Sequence, residues 1–393
     1  MQHSVASRRQ HPEVVMPTAS PAARATLTAA LVCMGCVLAR SAGAGDGREL
    51  PVYRIPNLPE SGEAYYAPDG VHLIAQVKDP AAQRPGTGKV GGSLTYTFTD
   101  RGTEIRRIND RGMDACSWFF PDGKRLLWTS TRDHLADLPA GDWSDDANYP
   151  QGAELYSSDL DGGNLRRLTS NRWYDAEATV SPDGRWIVFG RQIGGNADLW
   201  RMKPDGTEQT QLTSTSDWQE GEAYFMPDSE TVIFRAWKQS EKNRLEALDR
   251  RNGTRSQVPM NIYSMKIVGE DRNVQPRSFT SDTNWAPFPA PDGRHFLVVR
   301  IIERGNWELF LADMAGGEPR RITFNDGWDG MGAFSPDGRK MAFTRSEPGS
   351  RALYTYVMDV SSLGVGPEHY HGVPAQARPP PGWQPDPDFA AWR

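Results

Sequence analysis

Cysteine is scarce, with three in 393 residues. Cys33 and Cys36 form a CxxC inside the apolar run 25–38, which leaves Cys116 alone in the rest of the chain. No internal disulfide is expected, so stability must come from burial. Long apolar runs are missing too: ATLTAALVCMGCVL (25–38) is shorter than the roughly 20 residues that span a bilayer. Basic charge is also short, 44 Lys plus Arg against 50 Asp plus Glu for a net of −6. Such a balance gives no electrostatic footprint for nucleic acid or an anionic membrane. Catalytic signatures are absent: there is no GxSxG, HExxH or P-loop. GTGKVG (86–91) matches GxGxxG literally, but it lies between strands with no helix after it. Histidines do not converge in the sequence. His72 and His295 follow turns on one side, His134 sits in an insertion on the other, and His369 and His371 lie near the C-terminus. NGT (252–254) is a glycosylation sequon in an inserted loop, and one such match is expected by chance.

The apolar run follows Arg24 and precedes Ala42-Gly43-Ala44, which fits a signal-peptidase site. Residues 1–44 therefore read as a cleaved export signal, and the mature protein as periplasmic or secreted. Its removal takes four Arg and one Glu, leaving the remainder more acidic.

Glycine and proline are plentiful, at 38 and 30, and they recur in one turn. APDGVH (67–72), FPDGKR (120–125), SPDGRW (181–186), MPDSET (226–231), APDGRH (290–295) and SPDGRK (335–340) are six copies. Pro presets φ at the first central position, Asp bonds its own backbone, and Gly supplies positive φ where the next strand starts. Ser229 replaces Gly in the fourth copy. Around each turn stand short runs rich in β-branched and aromatic residues. In the third copy these are DAEATV, RWIVFG, ADLWRM and QTQLT, four strands bounded by turn residues. Four antiparallel strands repeated six times predict an all-β, six-bladed β-propeller of four-stranded antiparallel blades.

The ring must close. The sixth copy lacks an RRLT-like fourth strand, whereas PVYRIPN (51–57) matches LRRLTSN. Residues 51–56 are thus expected to pair with 352–358, completing the last blade and covering its edge. The propeller is assigned to 45–366, and the Pro-rich end, 367–393, is expected to be a flexible tail.

With strands named a to d from the axis outward, the a–b and c–d turns share one face, and the b–c and d–a connections share the other. The long insertions (78–92, 133–151 and 239–260) are all b–c, which marks that face as the binding face. Trp173, Tyr174, Trp218 and Trp328 belong to d–a connections there. Trp285 opens an inner strand, and Trp143 and Tyr149 lie in an insertion. Seven residues before each turn Pro come Ser61, Asp114, Asp175, Glu220, Asn284 and Asp329, with Glu63, Glu177 and Glu222 two residues later. Either these polar groups ring the channel mouth, where they could hold Ca²⁺ or a cationic peptide, or each carboxylate bonds the adjacent d–a connection.

The unit D-x₅-SPDG-R-x₃-F…D-L-W…DG…LT, carried through residues 61–359, resembles the repeat of TolB-like propellers. The resemblance implies a six-bladed, exported fold that binds proteins in the cell envelope. TolB proper carries a sizeable α/β domain before its propeller; here about ten residues separate the expected cleavage site from the closing strand. The reading of the chain is a monomeric, non-catalytic scaffold for a protein, peptide or glycan. Its ligand-binding residues are taken as Asp114, Asp175, Glu177, Glu220, Glu222, Asp329, Trp173, Tyr174, Trp218, Trp285 and Trp328. No cofactor is certain beyond Ca²⁺ as a candidate. The alternative is a carbohydrate-active enzyme, similar to oligogalacturonate lyases or glycoside hydrolases, using carboxylates among Asp142, Asp145, Asp146, Asp175 and Glu177.

Overall fold

The computed structural model describes residues 49–83, 90–136, 138, 141–143, 147–269, 271–303, 305–347, 349–386 and 392. The export signal expected over 1–44, and Asp145 and Asp146, lie outside them. Each PDG segment folds as the expected tight turn. In SPDGRW the Gly184 N–H donates to Ser181 O at 2.8 Å, and Asp183 Oδ1 accepts from the Arg185 N–H at 3.0 Å. The residue in the glycine position has φ between +62° and +72° in all six copies, Ser229 included at +62°. Ser229 adds a bond that glycine could not make, since its Oγ accepts the Asp183 N–H of the preceding blade at 3.1 Å.

Six four-stranded sheets result, each with its strands in sequential order except the last. Their inner strands are Ser61–Tyr66, Asp114–Phe119, Tyr174–Val180, Trp218–Phe225, Asn284–Pro289 and Asp329–Phe334. In the sixth sheet Val52–Arg54 pairs antiparallel with Leu353–Asp359, Val52 opposite Met358 and Arg54 opposite Tyr356. The ring therefore closes through the chain's early segment, as the matching pattern predicted. Apolar layers lie between blades: Phe120, Leu127, Ile187 and Phe189 join the second to the third, and Leu73, Phe98, Ala342 and Val357 join the first to the sixth. Each such side chain contributes about 1.5–3 kcal/mol on burial, which is how the fold holds without a disulfide.

Two expectations change. The third long insertion is not an open loop: it carries the helix Gln239–Asn252, ended by Gly253 at φ +66°. Its sequence, QSEKNRLEALDRRN, is built of strong helix formers with a Glu241–Arg244 pair at 2.6 Å, and none of its residues is buried. The C-terminal segment, expected to hang free, instead makes specific contacts in its described residues. Arg277 donates to Pro374 O at 2.8 Å, the Arg378 N–H donates to Ala315 O at 2.9 Å, and Trp383 meets Phe279 edge-on at 5.0 Å. Trp392 is 7% exposed, packed against Trp218, Phe234 and Tyr263. A Pro-rich strand has few N–H groups to satisfy, so its carbonyls and rings are free to serve the surface beneath it.

Candidate binding funnel at the ring axis

All six inner strands carry a register break, and the first residue inside it has positive φ: Glu63, Cys116, Glu177, Glu222, Ala286 and Met331, between +42° and +56°. None is glycine, so each costs on the order of 1 kcal/mol or more. The bulge frees a backbone N–H, and in four of the six blades a side chain of the neighbouring blade takes it. Thr344 Oγ1 accepts from Glu63 at 2.9 Å, Glu63 Oε2 from Cys116 at 3.2 Å, Glu177 Oε2 from Glu222 at 2.7 Å, and Glu222 Oε2 from Ala286 at 3.1 Å. These glutamates are interblade stitches around the axis. Arg235 lies among them, 3.1 Å from Glu177 and 3.2 Å from Glu222, and their two carboxylates raise its proton affinity further. Gly221 makes this possible: a Cβ there would stand 2.6 Å from Glu177 Oε2 and 3.1 Å from the Arg235 guanidinium.

The residues seven before each turn Pro form a different layer. Asp114, Asp175, Glu220, Asn284 and Asp329 are at most 3% exposed and Ser61 is 5%. Asp175 clamps Arg191 at 2.6 and 2.8 Å and accepts from Asn171 at 2.7 Å. Asp329 clamps Arg345 at 2.9 and 2.6 Å. Glu220 accepts from Thr215 Oγ1 at 2.6 Å, and Asp114 from the Thr95 N–H at 2.8 Å and Asn109 at 2.7 Å. The single converging ring expected from sequence thus resolves into two layers, and the outer one is committed to the blades and to the d–a connections. Among the described residues no group of three or more His, Cys, Asp or Glu could hold a metal ion.

Deeper along the axis, three residues before the turn Pro, four blades place an aromatic ring, and the third and sixth place Thr179 and Ala333. Tyr65 lies 4.8 Å from Trp118 and 6.0 Å from Phe288, and Tyr224 lies 5.3 Å from Phe288. The Tyr65 and Tyr224 hydroxyls share a hydrogen bond of 2.7 Å. The expected channel is therefore a blind funnel. Its mouth is a cavity of about 870 Å³ on the insertion face. Trp143, Trp285 and Trp328 wall it, Lys78 and Arg351 stand at it, and Glu63 and Met331 reach it from the bulge layer. Trp285 and Trp328 are 6.1 Å apart. Burial pushes the Glu63 carboxyl up to about 7, with Glu177 nearby adding to the effect and the Cys116 hydrogen bonds opposing it.

Of the aromatics singled out in the sequence, Trp143, Trp285 and Trp328 line this cavity. Tyr174 is buried and stacks on Tyr149 at 4.4 Å. Trp218 is buried against Trp392, and Trp173 is 40% exposed above Arg191. Lys78, Thr344, Met331 and Arg351 were missed. Arg351 lies in a short b–c connection and Lys78 at the start of an insertion, so enumerating every b–c segment would have found both.

No protein-family model matches the chain. It is 25% identical over 212 residues to an uncharacterized protein of Agrobacterium fabrum, a match covering 53% of this chain and 62% of that protein. It is 25% identical over 197 residues to a Protein TolB homolog of Chlorobium chlorochromatii, covering 50% of this chain and 29% of that protein. Among solved structures, TolB from Acinetobacter baumannii superposes with a TM-score of 0.50 at 18% identity, over 74% of this chain and 63% of that one. The chain spans less than two thirds of the length of these relatives. Six four-stranded blades and these likenesses together show a six-bladed β-propeller similar to those of TolB and its homologues.

Proposed function

We propose that this propeller is an exported, monomeric, non-catalytic scaffold that binds a protein partner by taking one of its segments into the axial funnel. The carrying observation is the funnel itself. Three tryptophans from separate blades, Trp143, Trp285 and Trp328, wall a cavity of about 870 Å³ closed below by the aromatic layer. Rigid aromatic walls give large contact area at low entropic cost, and Glu63 at the floor suits a cationic side chain. The TolB-like fold supports protein binding as the mode, and the apolar run at 25–38 supports export. No helix of the described residues is long and apolar enough to cross a membrane. Two of the carboxylates suggested for glycoside chemistry are otherwise occupied: Asp175 holds Arg191, and Glu177 holds Arg235 and the Glu222 N–H.

Capture of partner proteins from an envelope extract on the immobilised mature chain, followed by calorimetry with peptides of the captured protein, tests this. Trp328→Ala and Trp285→Ala are each expected to weaken binding roughly tenfold or more while leaving the melting temperature within a few degrees. Peptide affinity unchanged in both variants, or turnover of acidic oligosaccharides by the wild-type chain, would overturn the reading.

A further inference from the structure

The fourth and fifth blades depart from the repeat at two adjoining places. In five blades the residue after the outermost strand pair is aliphatic: Ile55, Ile108, Leu168, Leu212 and Ile322. Each donates its N–H to the neighbouring third strand, at 3.0, 2.9, 2.8, 2.7 and 2.8 Å. In the fourth blade Arg277 makes that bond, to Ile262 O at 2.7 Å, so a guanidinium is buried, 4% exposed, where a methyl group belongs. Among the described residues its acceptors are all neutral: Ser264 Oγ, Met314 O, Pro374 O and Ala375 O.

The second departure lies beside it. In the third and sixth blades, the arginine nine residues after the turn Pro is clamped by an inner-strand aspartate, Asp175 on Arg191 and Asp329 on Arg345. The fifth blade keeps the arginine, Arg300, but has Asn284 for the aspartate. Only Arg300 Nε is bonded there, to Asn284 Oδ1 at 2.8 Å. Its cross-strand neighbour Glu308 is committed to Arg321 at 2.8 Å. Arg277 and Arg300 border one cavity of about 180 Å³, and the C-terminal segment brings Arg378 to the same wall. Thr280, also in the wall, accepts from Asn284 Nδ2 and the Asp282 N–H, which leaves its own proton to donate. Two acids touch the cavity. Asp313 is paired with Arg294 at 2.8 Å, and Glu318 is exposed at the rim. Among the described residues none of the three arginines is in an ion pair.

We propose that the cavity framed by Arg277, Arg300 and Arg378 is a binding site for a small oxyanion, a carboxylate or phosphate group. Asn284 fills the aspartate's place without its charge, so the anion supplies that charge from the cavity beside it, received by the Arg300 nitrogens that Asn284 leaves free. Its volume admits one compact group and not a polymer. This site lies apart from the axial funnel and does not depend on the reading given to it.

Calorimetric titration of the full mature chain with inorganic phosphate and with succinate, at constant ionic strength, is the test. At least one is expected to bind at one site per chain in the millimolar range or tighter, and which of the two binds better distinguishes phosphate from carboxylate. Arg300→Gln should weaken binding roughly tenfold. Asn284→Asp restores the internal clamp seen at Asp329 and Arg345, and should abolish binding while the melting temperature holds or rises. Trp328→Ala should leave anion affinity unchanged. No binding of either anion at millimolar concentration, or binding that survives both Asn284→Asp and Arg300→Gln, overturns the proposal.

Discussion

Buried carboxyls set the pH response of single residues in this protein. Burial raises Glu63, Glu222 and Glu308 to about 7, Glu220 to about 8 and Asp114 to about 6. Their folded forms bind protons more tightly than the unfolded chain does. Proton binding therefore favours the fold: the contribution is complete below the ordinary carboxyl value of 4.5 and is lost as pH climbs through 7 and 8. Turn aspartates such as Asp69, Asp183 and Asp337 are shifted down, in spite of some desolvation, by the hydrogen bonds they accept, from serine hydroxyls at Asp183 and Asp337 and from backbone N–H groups at all three, and they withdraw their support at low pH. The melting temperature is expected to peak near about pH 5 and to fall towards pH 8. Glu220→Gln keeps the Thr215 contact without a charge, so it should flatten that fall. A scan of melting temperature against pH for both chains checks this, and equal slopes would discredit the assignment. At the same scale the six bulge residues were illegible: Glu, Cys, Ala and Met carry no preference for positive φ, and only the interblade N–H bonds reveal why they adopt it.

At the scale of elements, strands and turns could be read from the sequence because they are local. Pro-Asp-Gly prescribes its own dihedrals, and alternating apolar residues prescribe a pleated, buried strand. Matching PVYRIPN to LRRLTSN was enough to place the closing strand. The helix Gln239–Asn252 was passed over although its composition favours a helix, because it lies inside an insertion with no apolar stripe to mark it. The C-terminal segment was misjudged for a related reason. Low apolar content argues for freedom, yet single rings can be decisive where a socket exists. Trp392 fills one between Trp218 at 4.9 Å and Tyr263 at 4.9 Å. Trp392→Ala is expected to cost about 3–5 kcal/mol in urea unfolding and to speed proteolysis after residue 386. Unchanged stability and proteolysis would mean the ring is not seated there in solution.

The whole molecule is held by closure. The closing segment supplies Val52–Arg54 as a fourth strand, Ile55 at 1% exposure, and Glu49, which joins Asp329 in binding Arg345. Deleting residues 49–56 should leave Leu353–Asp359 as a bare edge, lower the urea midpoint and promote association between chains. Tryptophan fluorescence and far-UV dichroism, coincident in the intact chain, should separate in the truncated one, because the sixth blade would loosen first. Coincident transitions with an unchanged midpoint would show that the ring does not depend on this strand.

What the sequence determined alone was the unit and its number. Turn chemistry and strand periodicity act over a few residues, and six copies with one missing strand imply a closed ring. Which side chains meet was decided only by tertiary structure. Asp175 and Trp285 look equally available in the chain, yet one is sealed in an arginine clamp and the other walls the funnel. The same holds for Arg277 and Asn284, seven residues apart and unremarked until the ring set them beside Arg300. The physical reason is that contacts across blades depend on the rotation of one sheet against the next and on a bulge at each inner strand, and neither leaves a trace in local composition.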